Sequence, residues 1–354
     1  MKLLVSLLGF LPLVAGLVIE PGSLRTEGAN APLGLHETTP RLSWRLSSTL
    51  RGDAQTAYQV QVASTSDQLG SPDFWDSGKV LSSKPFTTYI GKVLESRHAV
   101  SWRARVWDVN DEPSTWSEVT SFEMGLLSSS DWAADWITNS QFQTGVNSLP
   151  IFATDFEVSC KVEKARLYIA GLGVFQAEIN GNDVSSEVLG PGYSTINRTL
   201  LYRAYDVTTL LQYGSNVIGV ELGKGTYDAE KGLNKRYMKF TVSAEPLVAR
   251  SQLEYSCADS KLHTVISNGT WLTTVDGPQI ESSWYGGEEY DARKIIPDWS
   301  SPKGDRSNWQ HANVSAGPPG PQGELISQVA PQLEVTETVT AKSVKQVCGP
   351  LFDV

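Results

Sequence analysis

The chain has 354 residues, 40% of them hydrophobic and 19% charged, with a net charge of -10 and a pI near 5.0. That length exceeds what one hydrophobic core usually serves, so two or three domains are expected. With no basic surplus and no basic cluster to neutralise phosphates, the composition argues against a nucleic-acid partner.

The opening segment, "MKLLVSLLGFLPLVAGLVIE", has one lysine, an apolar run from Leu3 to Val14 and small residues at Ala15 and Gly16. This is the layout of a signal peptide over residues 1–16, too short for a membrane span and lacking a stop-transfer charge pattern. No other run approaches spanning length, so a secreted protein without a membrane partner is expected. Sequons at Asn197, Asn268 and Asn313 agree with passage through a secretory pathway and mark candidate glycosylation sites.

Residues 17–127 alternate with a period of two. "RLSWRL" puts Leu42, Trp44 and Leu46 on one face, "AYQVQVA" does so with Tyr58, Val60 and Val62, and "VSWRARVWD" with Val100, Trp102, Ala104 and Val106. Turn clusters such as "DSGK" and "VNDEPS" separate them, at the spacing of an immunoglobulin or fibronectin-like β-sandwich. Trp102 is expected in the core, and Trp107 stacked on Arg103 or Arg105. A polar linker, "LLSSSDW", follows.

Residues 128–309 are again strand-rich. Asn180-Gly181 is the strongest hairpin signal, because both positions tolerate the positive φ of a type I′ turn. "YDVTTLLQYGSN" predicts one short helical turn, and "VIGVELG" a strand with Ile218, Val220 and Leu222 opposite Val217, Gly219 and Glu221. No long helical pattern occurs after the leader, so the fold class is all-β, and this block is large enough for a jelly roll. Cys160 and Cys257 both fall here and are the favoured disulfide pair, with three buried free thiols as the alternative; Cys348 is left over. His36, His98, His263 and His311 are scattered without metal-ligand spacing, so no zinc site is expected. Trp271 and Trp284 are read as core residues in preference to groove residues.

After Trp309 the composition turns to "NVSAGPPGPQGE" before strand-like alternation resumes in "LISQVAPQLEVTETV". Residues 310–354 are therefore read as a linker and the truncated start of a third β domain.

"YGGEEYDARK", Tyr285 to Lys294, is the one dense charge cluster. On a strand Glu289 and Asp291 would share a face about 6.6 to 7 Å apart, a spacing that permits an inverting glycosidase pair at roughly 6.5 to 9.5 Å. Such a pair must flank the scissile bond from opposite sides, with one acid held protonated in an apolar pocket. Two acids in one segment beside Arg293 and Lys294 are instead ionised and paired, so no catalytic residue is assigned. Glu288, Tyr290, Asp291 and Arg293 are read as a structural signature in which Arg293 holds Asp291 or Glu288 bidentately and locks the last strands, with Gly286 and Gly287 giving a bulge or a close approach.

Several of these stretches together resemble a known family. "IEPGSLRTEGANAPLGLHETTPRLSWRL", "WDSGKV" and "DWAADWI", then "YIAGLGVFQAEINGNDV" and "DGPQIESSWYGGEEYDAR", are similar to the N-terminal region of α-L-rhamnosidases, from about Ile19 onward. The resemblance implies a parent enzyme of glycoside hydrolase family 78 that removes terminal α-L-rhamnose from glycosides or pectic polysaccharides with inversion. It places the catalytic carboxylates in a helical (α/α)6 barrel beyond residue 354, so this chain alone is expected to be inactive. In some relatives the jelly roll binds rhamnose with calcium, which implies a rhamnose-containing glycan as partner. The candidate positions lie in two loops, Asn180 and Asp183 in one and Tyr227, Asp228 and Asn234 in the other, with calcium near Asp183 and Asp228; no one-to-one match to the family's calcium ligands is made. One departure weakens that site: where the family commonly has Gly-Trp-Tyr, this chain has Gly225-Thr226-Tyr227. A stand-alone carbohydrate-binding module and a structural β-sandwich spacer are the rival readings.

Overall fold

The structure is a computed structural model that describes residues 16–143, 146–196, 198–227, 246–284, 287–315, 323–328, 330–331, 333–343, 345–348 and 351–353. It divides into two compact units, Met1–Asp131 and Trp132–Val354. Among the described residues every regular element is a strand or a short 3-10 turn, so the chain is all-β, and no helix is long and apolar enough to cross a membrane. The leader expected over residues 1–16 lies, but for Gly16, outside the described residues.

In the first unit the long strands Ala57–Ala63 and Ala99–Trp107 pair antiparallel, with Val60 opposite Ala104 and Val62 opposite Trp102. Thr120–Glu123, Trp75–Asp76 and Val80–Leu81 extend them to a five-stranded sheet, and Arg25–Thr26, Arg41–Ser43 and Phe86–Thr88 form a three-stranded one. The period-two pattern decides which residues go inward: Leu42, Val60, Val62, Trp102 and Phe122 share one core. Trp102 is fully buried and satisfies its indole by donating to Thr26 Oγ1 at 3.1 Å. Trp107 stacks under Arg105 at 5.0 Å, while Arg103 turns to the face of Trp116 at 4.3 Å.

The second unit is a sandwich of two larger sheets. One runs Asn313–Ser315, Trp136–Thr138, Ala249–Cys257, Val162–Gly171, Thr199–Asp206, Glu324–Ser327, with Leu262–Ile266 beside Ala249–Cys257. The other runs Asn182–Asp183, Val174–Ile179, Gly214–Gly223, Ile151–Val158, Leu272–Thr274, Gln310–His311. Phe152, Ile179, Ile218, Val220 and Leu222 meet Leu167, Ile169, Leu253 and Trp271 in the core between them. Burying each such side chain stabilises the fold by about 1.5–3 kcal/mol.

Asn180 (φ 54°) and Gly181 (φ 77°) form the two-residue turn between Val174–Ile179 and Asn182–Asp183, as their tolerance of positive φ predicts. Thr208–Leu210 is the expected single helical turn. Cys160 and Cys257 are disulfide-bonded. Strands after Trp309 join this same unit. Glu324–Ser327 pairs parallel with Thr199–Asp206, and Leu333–Glu334 pairs antiparallel with Glu187–Val188, so both strands add to the second unit. Lys345–Cys348 and Leu351–Asp353 make a ribbon of their own.

Candidate functional site

At one end of the second sandwich three glycines bring two strand ends into backbone contact. A Cβ at Gly173 (φ 105°) would sit 2.0 Å from the Gly223 carbonyl oxygen, and one at Gly225 (φ 53°) 3.0 Å from Val174 Cγ1; Gly223 is similarly closed by Val174 at 2.7 Å. No side chain fits there, which is why glycine stands at each position. The chain then passes from Gly214–Gly223 into a bridge with the end of Gln279–Ser283, where Lys224 N donates to Ser282 O at 2.8 Å and Trp284 N to Gly225 O at 3.0 Å.

The result is a groove floored by this glycine contact, with Pro191, Tyr193 and Ser194 on one wall and Thr226, Tyr227 and Trp284 on the other. Tyr193 is 66% exposed and Trp284 44% exposed, so both aromatic faces meet solvent. The Tyr193 wall is held from behind. Gly192 N donates to Gln328 Oε1 at 2.9 Å, Arg203 donates to the Gln328 carbonyl at 3.2 Å, and Arg203 pairs with Glu187 at 3.1 Å. Tyr205 donates to the same Glu187 carboxylate at 2.7 Å, and burial beside that charge pushes its phenol well up.

Beneath the opposite wall Lys224, fully buried, donates to Glu281 Oε2 at 2.5 Å, pinning the hairpin Gln279–Ser283 / Gly287–Tyr290 to the strand end. Glu281 Oε1 has no hydrogen-bond partner among the described residues. On the outer face of the six-stranded sheet Glu178 and Glu221 converge with Glu288. Burial, then the Glu178 and Glu288 charges, push Glu221 up to about 7. Glu178 is raised by burial too, although it accepts a hydrogen bond from Ser300 Oγ.

The structure spreads the sequence-derived site residues apart. Asn180 spends its side chain on the turn, donating to Leu210 O and Asn216 Oδ1 and accepting from Val217 N. Asp183 is exposed and accepts from Gln176 at 2.7 Å. At the rise of a strand Asn180 lies about 20 Å from the groove end of Val174–Ile179, and Asp183, opposite Glu178, about 13 Å from it. Among the described residues Asp183 has the Glu178 carboxylate beside it, and calcium takes about six to eight oxygens. Tyr227 lines the groove, whereas Asp228 and Asn234 lie outside the described residues, as do Asn197, Tyr285 and Gly286. Cys257, Asp259 and His263 gather within 4.8 Å, but the Cys257 sulfur is committed to the disulfide and is not a thiolate ligand.

Arg293 does grip Asp291 bidentately, at 2.8 and 2.7 Å, and these hydrogen bonds hold Asp291 down at about 2. The pair is local, however: Asp291 caps the 3-10 turn Ala292–Lys294 and the Arg293 side chain is 88% exposed, so it is not the lock on the last strands. Glu288, Glu289 and Tyr290 are all exposed on the second hairpin strand. Gly287 (φ 81°) is a turn residue with open space around it, and the bulge sits across the ladder, between Gln279 and Glu281. Trp271 is buried as expected; Trp284 is not. Tyr193 escaped notice altogether, although an aromatic between Gly192 and Ser194 in a Pro/Gly turn was the available signal.

Two β-sandwiches that follow one another along the chain, the second bearing an aromatic-walled groove at one end, define a multi-domain all-β protein. Residues 160–337 match the family model for the alpha-L-rhamnosidase N-terminal domain, and residues 21–128 that for the Rha78A-like N-terminal immunoglobulin domain. The chain therefore belongs to the alpha-L-rhamnosidase family, as its N-terminal region. An alpha-L-rhamnosidase of Formosa agariphila is 39% identical over 295 residues, which are 80% of this chain and 32% of that protein. The solved alpha-L-rhamnosidase from Dictyoglumus thermophilum superimposes with a TM-score of 0.80 at 34% identity, covering 91% of this chain and 37% of that one. The native enzyme from Aspergillus terreus does so at 0.75 and 28%, covering 88% and 35%. The chain spans about a third of the length of these relatives.

Proposed function

We propose that this chain is the non-catalytic N-terminal portion of a secreted alpha-L-rhamnosidase, and that the groove of its second unit holds a rhamnose-containing glycan. One observation carries the reading: the described lining is aromatic, aliphatic and hydroxyl-bearing, and includes no carboxylate. Aromatic faces and hydroxyls suit the apolar face and the rim of a sugar. Cleavage of a glycosidic bond instead needs two carboxyl groups flanking it. The shifted acids Glu178 and Glu221 share one outer sheet face with like charges, a crowding that supports a structural role. In this reading hydrolysis of terminal α-L-rhamnose belongs to a further domain of the same parent protein.

Titration calorimetry with L-rhamnose tests the binding. Heat is expected from the unaltered chain and its loss from Trp284→Ala; no heat at millimolar sugar, with or without calcium, would sink the proposal. Calcium is varied because Asp228 follows Tyr227 directly in the chain and Asn234 stands seven residues beyond it. On p-nitrophenyl α-L-rhamnoside the chain alone should show no turnover, and turnover at an enzyme's ordinary rate would overturn the non-catalytic reading.

A further inference from the structure

On one side of the second sandwich both sheets end in a single continuous segment. Gln310–His311 closes the six-stranded sheet against Leu272–Thr274, and Asn313–Ser315 closes the seven-stranded sheet against Trp136–Thr138. Between them Ala312 is buried and donates its N–H to the Trp271 carbonyl at 2.8 Å. Neither strand has a second neighbour among the described residues. An open edge of this kind offers unpaired backbone groups to another chain and is normally defended by charge, proline or a bulge. Here the segment reads Gln-His-Ala-Asn-Val-Ser, without a single Lys, Arg, Asp, Glu or Pro, and Val314 is 54% exposed.

Two of the three sequons sit on this edge. Asn313 is exposed on the outermost strand, and Asn268 opens the turn that leads into Leu272–Thr274. The two sites are neighbours, since a Cβ on Gly269 would stand 3.6 Å from Val314 Cγ2. Both asparagines use Oδ1 in the contacts described: Asn268 accepts from Thr270 N and Oγ1 at 2.8 and 2.7 Å, and Asn313 from Ser140 N at 3.1 Å.

We propose that Asn268 and Asn313 carry N-linked glycans that together shield this double edge from pairing with a second copy of the chain. In the attachment step Nδ2 bonds to C1 of an oligosaccharide donated by a polyprenyl pyrophosphate; the C1–O bond breaks, the pyrophosphate leaves and the amide gives up one proton. The glycans then supply the steric and hydrated barrier that charge or proline supplies on other edges.

The test uses the full chain secreted from a eukaryotic host. Peptide mass mapping should find sugar on both asparagines, and Thr270→Ala and Ser315→Ala should each remove one glycan while leaving the asparagine in place. By light scattering the glycosylated chain should stay monomeric as concentration rises, whereas the double variant, with unchanged circular dichroism, should at least double its mean mass. If the double variant loses its fold, endoglycosidase trimming of the folded, unaltered chain gives the same readout. An unoccupied asparagine, a sugar-free chain that stays monomeric, or a glycosylated chain that associates equally well would each overturn the proposal.

Discussion

The two units solve the same problem, like charges crowded on the outer face of a sheet, in opposite ways. In the first, Arg103 and Arg105 stand two apart on one strand, each with an amide acceptor. Arg103 donates to Gln61 Oε1 at 3.0 and 2.8 Å, Arg105 to Gln59 Oε1 at 2.9 Å, and Asp76 accepts from both glutamines. Burial works against the Asp76 carboxylate, but the two amides overcome it and hold its pKa below the usual range. Trp116 lies across both guanidinium groups, at 4.3 and 4.7 Å. In the second unit burial, and then the Glu178 and Glu288 charges, push Glu221 up to about 7. Amides and an aromatic face let charges stay charged; their absence moves the pKa instead.

The largest effect should come from a buried ion pair of the second unit, Lys224 with Glu281. Lys224→Met strands the Glu281 carboxylate in the interior, and removing one member of a buried pair costs about 3–5 kcal/mol. The second unit's unfolding midpoint in urea should drop accordingly, and the double change Lys224→Met/Glu281→Met should recover much of the loss. A single variant as stable as the parent would mean that the pair does not fix the hairpin beneath the groove.

Glu221 comes next, with a definite pH window. Its folded pKa, about 7, lies above the ordinary glutamate value, so the unfolded chain releases that proton first as pH rises. Stability contributed by the neutral carboxyl is therefore complete below about pH 4.5 and is lost as pH climbs through 7, a span worth about 3 kcal/mol. Glu221→Gln should flatten that decline and leave the variant more stable than the parent at pH 8. An unchanged slope between pH 4.5 and 7 would show that the three carboxylates do not interact as their placement implies.

Much of this was legible in the sequence, and the remainder fails for a common reason. Period-two alternation marked the strands and told which of Ile218, Val220 and Leu222 against Gly219 and Glu221 would face the core, because burial on one face is a local constraint. The Asn180-Gly181 turn and the all-β class followed from equally local rules. Partner choice did not. Glu324–Ser327 lies parallel to Thr199–Asp206 across more than a hundred residues, and no local pattern encodes that register. Trp284 looks like any core tryptophan until the hairpin carrying it is seen to stop at the sandwich end, where a side chain has solvent on one side. The groove was invisible for the same reason: its floor depends on Gly173 touching Gly223, a contact made only when Val174–Ile179 pairs with Gly214–Gly223, some fifty residues on.

Trp116 sharpens the comparison from the first unit's side. It contributes no strand, and its ring covers two arginines that also have amide acceptors. Partly desolvated cation–π contacts are worth about 1–2 kcal/mol, so Trp116→Ala should lower the first unit's transition by that order and leave the second unit's unmoved. A loss several times larger would place Trp116 among the core residues instead.

The smallest expected effect falls on the pair that the sequence made most conspicuous. Arg293 and Asp291 have the geometry of a strong interaction: two parallel hydrogen bonds, a planar fork and an acid driven down to about 2. Geometry alone does not set the contribution, because both groups can reach water and the arginine is almost wholly exposed. In that setting solvation returns nearly what the pairing supplies, and salt screens the remainder. Arg293→Ala should therefore leave the second unit's unfolding midpoint where it was, while Lys224→Met, a few residues away in space from the same hairpin, shifts it strongly. If Arg293→Ala proved the more damaging of the two, the hairpin would be held by its charged rim and not by the buried pair at its root.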